Sequence, residues 1–148
     1  MILNLIEMKP ITMTNKISLD TNIIIYSHFL DNKEKRAISR KLLSEQPFVS
    51  TQVISEYLNV MKRLLKSTVT KEGLMDLCSE WMLECIVHSI HLSTLQSAKR
   101  LIKRYNFQIF DSIIVASALE TECKIFYSED MQHNLLVEKQ LRIINPFI

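Results

Sequence analysis

Lys16-Ile17-Ser18-Leu19-Asp20-Thr21-Asn22-Ile23-Ile24-Ile25-Tyr26 is a short apolar run ending on an acid, then two small polar residues that open a second apolar run. The pattern predicts a buried strand that ends at Asp20 and a helix that opens at Thr21 or Asn22. Asp20 is then placed to cap the helix by accepting a backbone N–H, a contact worth about 1 kcal/mol. It also stands beyond the carboxyl end of a strand, where open parallel sheets gather their functional side chains. One Asp decides nothing, so the question passes to the acids elsewhere in the chain.

Upstream of this stretch, Met1 to Asn15 reads as an N-terminal extension before a domain spanning 16–148, with Met13 an alternative start. The extension is broken by Glu7, Lys9 and Pro10 and lacks the charged start and long apolar stretch of a signal peptide. No run in the chain reaches the roughly 18 apolar residues of a membrane helix. The expected location is cytoplasmic, with no membrane partner.

Downstream, Asn22 to Leu30 carries the first helix and Asp31-Asn32 marks a turn. Lys33 to Glu45 is a second helix, stopped by Pro47, and Phe48-Val49-Ser50 is a short buried strand. Thr51 to Lys66 is a helix whose stripe is Val53, Ile54, Tyr57, Leu58, Met61, Leu64 and Leu65. Thr70 to Glu84 forms another, with Thr70 as cap, and Cys85 to Ile90 a strand. Leu92 to Tyr105 is helical, with Leu92, Leu95, Ala98, Leu101 and Ile102 expected to face inward. Phe110 to Thr121 is a nearly all-apolar helix starting at Asp111-Ser112. Lys124 to Tyr127 is a strand, Ser128-Glu129-Asp130 a turn and Leu141 to Ile144 the last strand. Strands alternating with helices predict an α/β fold, a three-layer α/β/α sandwich around a mostly parallel central sheet.

Composition narrows the chemistry. A chain of 148 residues with 47% hydrophobic and 23% charged residues suits one soluble globular domain. Its single glycine, Gly73, excludes glycine-rich phosphate loops and dinucleotide fingerprints, which need several. Cys78, Cys85 and Cys123 are odd in number and lack ligand spacing, as expected of buried free thiols. His28, His88, His91 and His133 make no zinc pattern, and a structural role is expected for His88 and His91.

Four acids interrupt otherwise buried sequence. Asp20 ends the first strand, Glu56 lies in the first turns of the helix after Ser50, Asp111 opens the apolar helix, and Asp130 follows the strand Ile125-Phe126-Tyr127. Taken singly, Asp20 and Asp111 read as helix caps, Glu56 as a helix residue at the favourable dipole end and Asp130 as a turn acid. Together they are placed so that the sheet brings them to one edge. Four carboxylates in a partly buried cleft repel one another unless protonated or neutralised by cations. Hard oxygen donors with open positions suit Mg²⁺ or Mn²⁺.

The stretches Ile17 to Tyr26, Val53-Ile54-Ser55-Glu56-Tyr57-Leu58-Asn59, Phe110-Asp111 to Ala118 and Phe126-Tyr127-Ser128-Glu129-Asp130-Met131-Gln132 resemble the successive motifs of the PIN-domain nucleases. They are most similar to those of the VapC-type toxins of bacterial toxin–antitoxin pairs. Order and spacing agree from Lys16 to the C-terminus; the leading extension departs from the family. The resemblance implies a metal-dependent endoribonuclease of single-stranded RNA. Asp20, Glu56, Asp111 and Asp130 take the catalytic and metal-binding positions, for Mg²⁺ (or Mn²⁺). Asn22 and Ser128 become donors that orient those carboxylates. Glu129 is an alternative or shared source of the fourth carboxylate, although Asp130 fits the pattern better.

The implied partners are RNA, a cognate small antitoxin protein and a second copy of the chain. The alternatives are a PIN nuclease of RNA maturation or decay without an antitoxin, and a non-catalytic PIN module that binds RNA or protein. A net charge of only +2 makes no argument for RNA by itself. Candidate phosphate contacts are Lys33, Lys35, Arg36, Arg40, Lys62, Arg63 and Lys66. Ile24, Ile25, Phe29, Leu58 and Met61 are candidates to line an antitoxin groove, with core packing the default for each.

Overall fold

The computed structural model describes residues 16–29 and 31–148. The expectations for Met1 to Asn15, and for Leu30 as the end of the first helix, lie outside the described residues. The elements follow in the order β1 (Ile17–Leu19), α1 (Thr21–His28), α2 (Lys33–Leu43), β2 (Phe48–Ser50), α3 (Thr51–Leu64) and α4 (Lys71–Met82). They continue with β3 (Ile86–His88), α5 (Leu92–Tyr105), α6 (Ile109–Glu120), β4 (Ile125–Tyr127), β5 (Leu136–Val137) and β6 (Leu141–Ile144).

The strands form one sheet in the order β3-β2-β1-β4-β6-β5. All pairings are parallel except β5 with β6. Helices flank this sheet to give the α/β/α sandwich expected from the alternation of elements. In the centre β1 lies between β2 and β4, with Ser18 opposite Phe48 on one side and Phe126 on the other. Strands covered on both faces need apolar side chains on both, and Leu19, Val49, Phe126 and Ile143 are all completely buried. Ladder bonds run past the strand ends: Asp20 N–H donates to Tyr127 O at 3.0 Å and Ser128 N–H to Ile144 O at 3.0 Å. The two residues after β1 and β4 are thereby set side by side.

α6 is apolar all round because it is enclosed all round, with Ser112 through Ala118 buried without a break. α5 differs from expectation. Its Leu92 and Leu95 are exposed, while Thr94, Ala98 and Leu101 are buried. The cause is polar: Thr94 Oγ1 accepts from His91 N–H at 3.0 Å and donates to Glu120 at 2.8 Å, which turns the leucines outward. Leu64, at the end of α3, is likewise exposed. β5 was not expected at all; it joins β6 through a tight turn in which Gln140 N–H donates to Val137 O.

Candidate active site

The residue after β1 is where the site begins. Asp20 takes an extended backbone and caps α1, its Oδ1 accepting Thr21 N–H at 2.8 Å. Its Oδ2 accepts the hydroxyl proton of Ser128, a completely buried residue, also at 2.8 Å. Burial pushes the Asp20 pKa from 3.8 up to about 6; the Ser128 and Thr21 bonds pull it down, and the charges of Asp111 and Glu56 add to the rise. This carboxyl is held in place yet poorly solvated.

Asp111 is no cap. α6 starts at Ile109, one residue ahead of the expected Phe110, and Gln108 stands at the capping position without a side-chain bond. Asp111 is left in the first turn, half-buried, and its pKa is raised by burial first and then by Glu56 and Asp130. Glu56 projects from α3. Its Oε2 accepts from Thr21 Oγ1 at 2.7 Å and its Oε1 from Gln52 Nε2 at 3.4 Å. Asp130, exposed in the turn after β4, accepts from Asn22 Nδ2 at 2.8 Å.

The charges of Glu56 and Asp111 thus bear on Asp20, and those of Glu56 and Asp130 on Asp111, while Ser128 is set against Asp20 and Asn22 against Asp130. Among the described residues, the ion pairs are Lys35–Glu129, His88–Glu120 and Arg104–Glu138, so none of the four acids has a basic partner. Nor do the acids close into a cage: among the described residues no three ligating side chains are gathered closely enough to hold a metal ion as they stand. Glu56 and Asp130 are each turned toward a neighbour's donor. The donor set is nonetheless all hard oxygen, and Asp20 keeps lone pairs beyond the two it shares. Such an uncompensated set fits a hard divalent cation, Mg²⁺ or Mn²⁺.

Glu129 faces elsewhere. It pairs with Lys35 and accepts from Tyr26 Oη at 2.5 Å, so Asp130 is the acid of this turn that meets Asn22. Among the candidate phosphate contacts, Lys35 is thus engaged. Arg36 donates to His28 O at 3.1 Å and Arg40 to Ser27 O at 2.8 Å, whereas Lys33, Lys62, Arg63 and Lys66 are exposed. Of the candidate groove residues, Ile24, Ile25 and Met61 belong to the core and only Phe29 is exposed. A cavity of about 360 Å³ lies between α1, α2 and α4, lined by His28, Arg40 and Trp81 among others; none of the four acids borders it. Thr21 is the contact that sequence reasoning left open, and its only signal was its place between Asp20 and Asn22.

A PIN domain family model matches residues 17–136. The chain belongs to the PIN-domain family. The PIN fold seen here is shared with solved structures of low sequence identity. One is a toxin–antitoxin complex from Klebsiella pneumoniae, with a TM-score of 0.63, 16% identity and coverage of 90% of this chain and 98% of that one. The VapC20 toxin of Mycobacterium tuberculosis, described as cleaving the sarcin–ricin loop, has a TM-score of 0.59 and 13% identity, over 75% of this chain and 87% of that one. FitAcB from Neisseria gonorrhoeae has a TM-score of 0.59 and 14% identity, over 88% and 98%. At these identities the likeness is one of fold. No curated protein sequence matches the chain. No helix among the described residues is long and apolar enough to cross a membrane.

Proposed function

We propose that this PIN domain is a metal-dependent endoribonuclease that hydrolyses phosphodiester bonds of single-stranded RNA, as the toxin of a toxin–antitoxin pair. The observation that supports the reading is that the charges of Glu56 and Asp111 bear on Asp20 and those of Glu56 and Asp130 on Asp111, with no basic partner for any of the four among the described residues. In this reading Asp20, Asp111 and Asp130 hold Mg²⁺ or Mn²⁺, and Glu56 binds the ion or positions the attacking water. The ion supplies positive charge to the scissile phosphate and acidifies water.

The remaining work falls to the chain's own residues. Ser128 and the Thr21 N–H fix both oxygens of Asp20, the Thr21 hydroxyl aims Glu56, and Asn22 restrains Asp130. These are supporting donors of the kind whose loss costs roughly 10–100-fold in metal affinity or activity. Lys33, Lys62, Arg63 and Lys66 supply exposed positive charge for the RNA backbone. Likeness in fold to a structure described as a toxin–antitoxin complex supports a small antitoxin as partner; a second copy of the chain completes the proposed assembly.

The test is cleavage of varied single-stranded RNAs by purified protein with Mg²⁺ or Mn²⁺, alongside Asp20→Asn and Asp111→Asn. Cleavage that EDTA abolishes, and that falls by about 100-fold or more in both variants, is the expected result. No cleavage of any RNA by the wild type overturns the activity. Equal activity in the variants overturns the site.

A further inference from the structure

Three consecutive side chains of the turn after β4 are tied to three different places. Ser128 donates to Asp20 at the end of β1, Asp130 accepts from Asn22 in α1, and Glu129 between them accepts from Tyr26, one turn further along α1. Both oxygens of Glu129 are occupied, Oε1 by Lys35 of α2 and Oε2 by the hydroxyl of Tyr26 of α1. The Lys35 ammonium also sits over two rings, 5.3 Å from the Tyr26 centroid and 5.0 Å from that of Phe147, and those rings lie 5.7 Å apart. The Lys35 and Glu129 side chains are only 31% and 21% exposed, so the pair is shielded from the screening that weakens surface ion pairs. Asn145 Nδ2 donates to Glu129 O at 3.4 Å and holds the same turn by its backbone.

We propose that Lys35, Tyr26 and Glu129 form a latch that sets the turn carrying Ser128 and Asp130. Glu129 is then a positioning residue, and Lys35 is its anchor instead of an RNA contact. The geometry supports this division: Glu129 is neutralised by an ammonium from α2 and held by a hydroxyl from α1, whereas none of the four acids has a basic partner among the described residues. A lysine enclosed by two rings and a carboxylate is similarly withheld from a polyanion. The proposal rests on the reading of Asp130 as a metal-binding acid, and its test separates the two.

Hydrogen–deuterium exchange across residues 128–134 reads the latch without any catalysis, and Mn²⁺ titration of the RNA-free protein reads the site. Lys35→Met, Tyr26→Phe and Glu129→Gln are compared with Asp130→Ala, and RNA affinity is measured in EDTA. Faster exchange of the turn in Lys35→Met and Tyr26→Phe is expected. With it goes Mn²⁺ affinity lower by about 10-fold and RNA affinity within about 2-fold of wild type. Unchanged exchange in both variants overturns the latch. So does weaker RNA binding by Lys35→Met with Mn²⁺ affinity intact, which makes Lys35 a phosphate contact. Loss of Mn²⁺ binding in Glu129→Gln as complete as in Asp130→Ala, with Lys35→Met and Tyr26→Phe unaffected, makes Glu129 a ligand and also overturns it. If the wild type binds no Mn²⁺ while the latch variants still exchange faster, the metal reading fails and the latch stands.

Discussion

Ser128 Oγ lies 2.8 Å from Asp20 Oδ2, a bond between residues 108 positions apart that fastens the turn after β4 to the end of β1. It is also the first influence holding the Asp20 pKa down against burial. Ser128→Ala removes that donor and leaves a buried carboxylate oxygen unpaired. Divalent-ion affinity is expected to fall by about 10-fold, and the rise of cleavage with pH to move to higher pH. Metal titrations of RNA cleavage at several pH values check both.

Asp20 also couples protons to folding. Its pKa is about 6 in the fold against 3.8 ordinarily, so the folded metal-free protein binds this proton more tightly than the unfolded chain does. The resulting stability is fully present below about pH 4 and is lost as pH rises through about 6. Linkage puts the loss at about 3 kcal/mol. Urea unfolding of metal-free protein between pH 4 and 7 should show the decline, and Asp20→Asn should flatten it. A metal-free stability that instead climbs across this window would contradict the burial of a poorly compensated carboxylate.

Thr21 donates to Glu56 at 2.7 Å from a buried position. Thr21→Val keeps the branched shape and deletes the hydroxyl. Cleavage is expected to drop by roughly 10-fold, while the N–H of residue 21 still caps α1 through Asp20. Steady-state kinetics set against the thermal unfolding midpoint distinguish a misplaced Glu56 from a damaged fold. A variant with wild-type kinetics would free Glu56 from any dependence on Thr21.

A neutral histidine ties α1 to α3. Ser27 Oγ donates to Ile24 O at 2.6 Å, so it can only accept from His28 Nδ1, which leaves Nε2 to accept the Tyr57 hydroxyl at 2.7 Å. Burial, followed by the charges of Arg36 and Arg40, lowers the His28 pKa and favours this neutral form. Tyr57→Phe should cost about 1–2 kcal/mol in urea unfolding because the His28 nitrogen loses its partner. The Tyr57 hydroxyl bonds to His28 and to none of the four acids, so cleavage by the folded variant is expected to stay at the wild-type level.

The order of layers was legible because hydrophobic pattern dominates it: β1, β2 and β4 are short apolar runs, and α6 is apolar throughout. The strand β5 was not, and turn chemistry is the reason. Glu138 and Lys139 carry positive φ values, 52° and 57°, in the three-residue turn between Val137 and Leu141, where glycine or asparagine is the usual signal. The start of α6 was misplaced for a related reason, since Gln108 stands at its cap without the side-chain bond that marks a helix N-terminus. In the site, acids ending strands were visible, whereas the partners that aim them were legible only where a motif named them. The bond from Thr21 to Glu56 and the Lys35–Glu129–Tyr26 cluster join residues 35 to 103 positions apart, and no local spacing encodes them.

The sheet order has a consequence for biogenesis. β4 inserts between β1 and β6, so the central strand pairing waits for segments from both ends of the described chain. Contacts this distant in sequence form late in folding. A nascent polypeptide that has emerged only through α6 already carries Asp20, Glu56 and Asp111, yet lacks Ser128 and Asp130, the β4–β6 pairing and the latch. If the chain is the ribonuclease proposed above, a polypeptide halted at that stage is expected to be inactive, because the fourth acid and the hydroxyl that fixes Asp20 are still to be made.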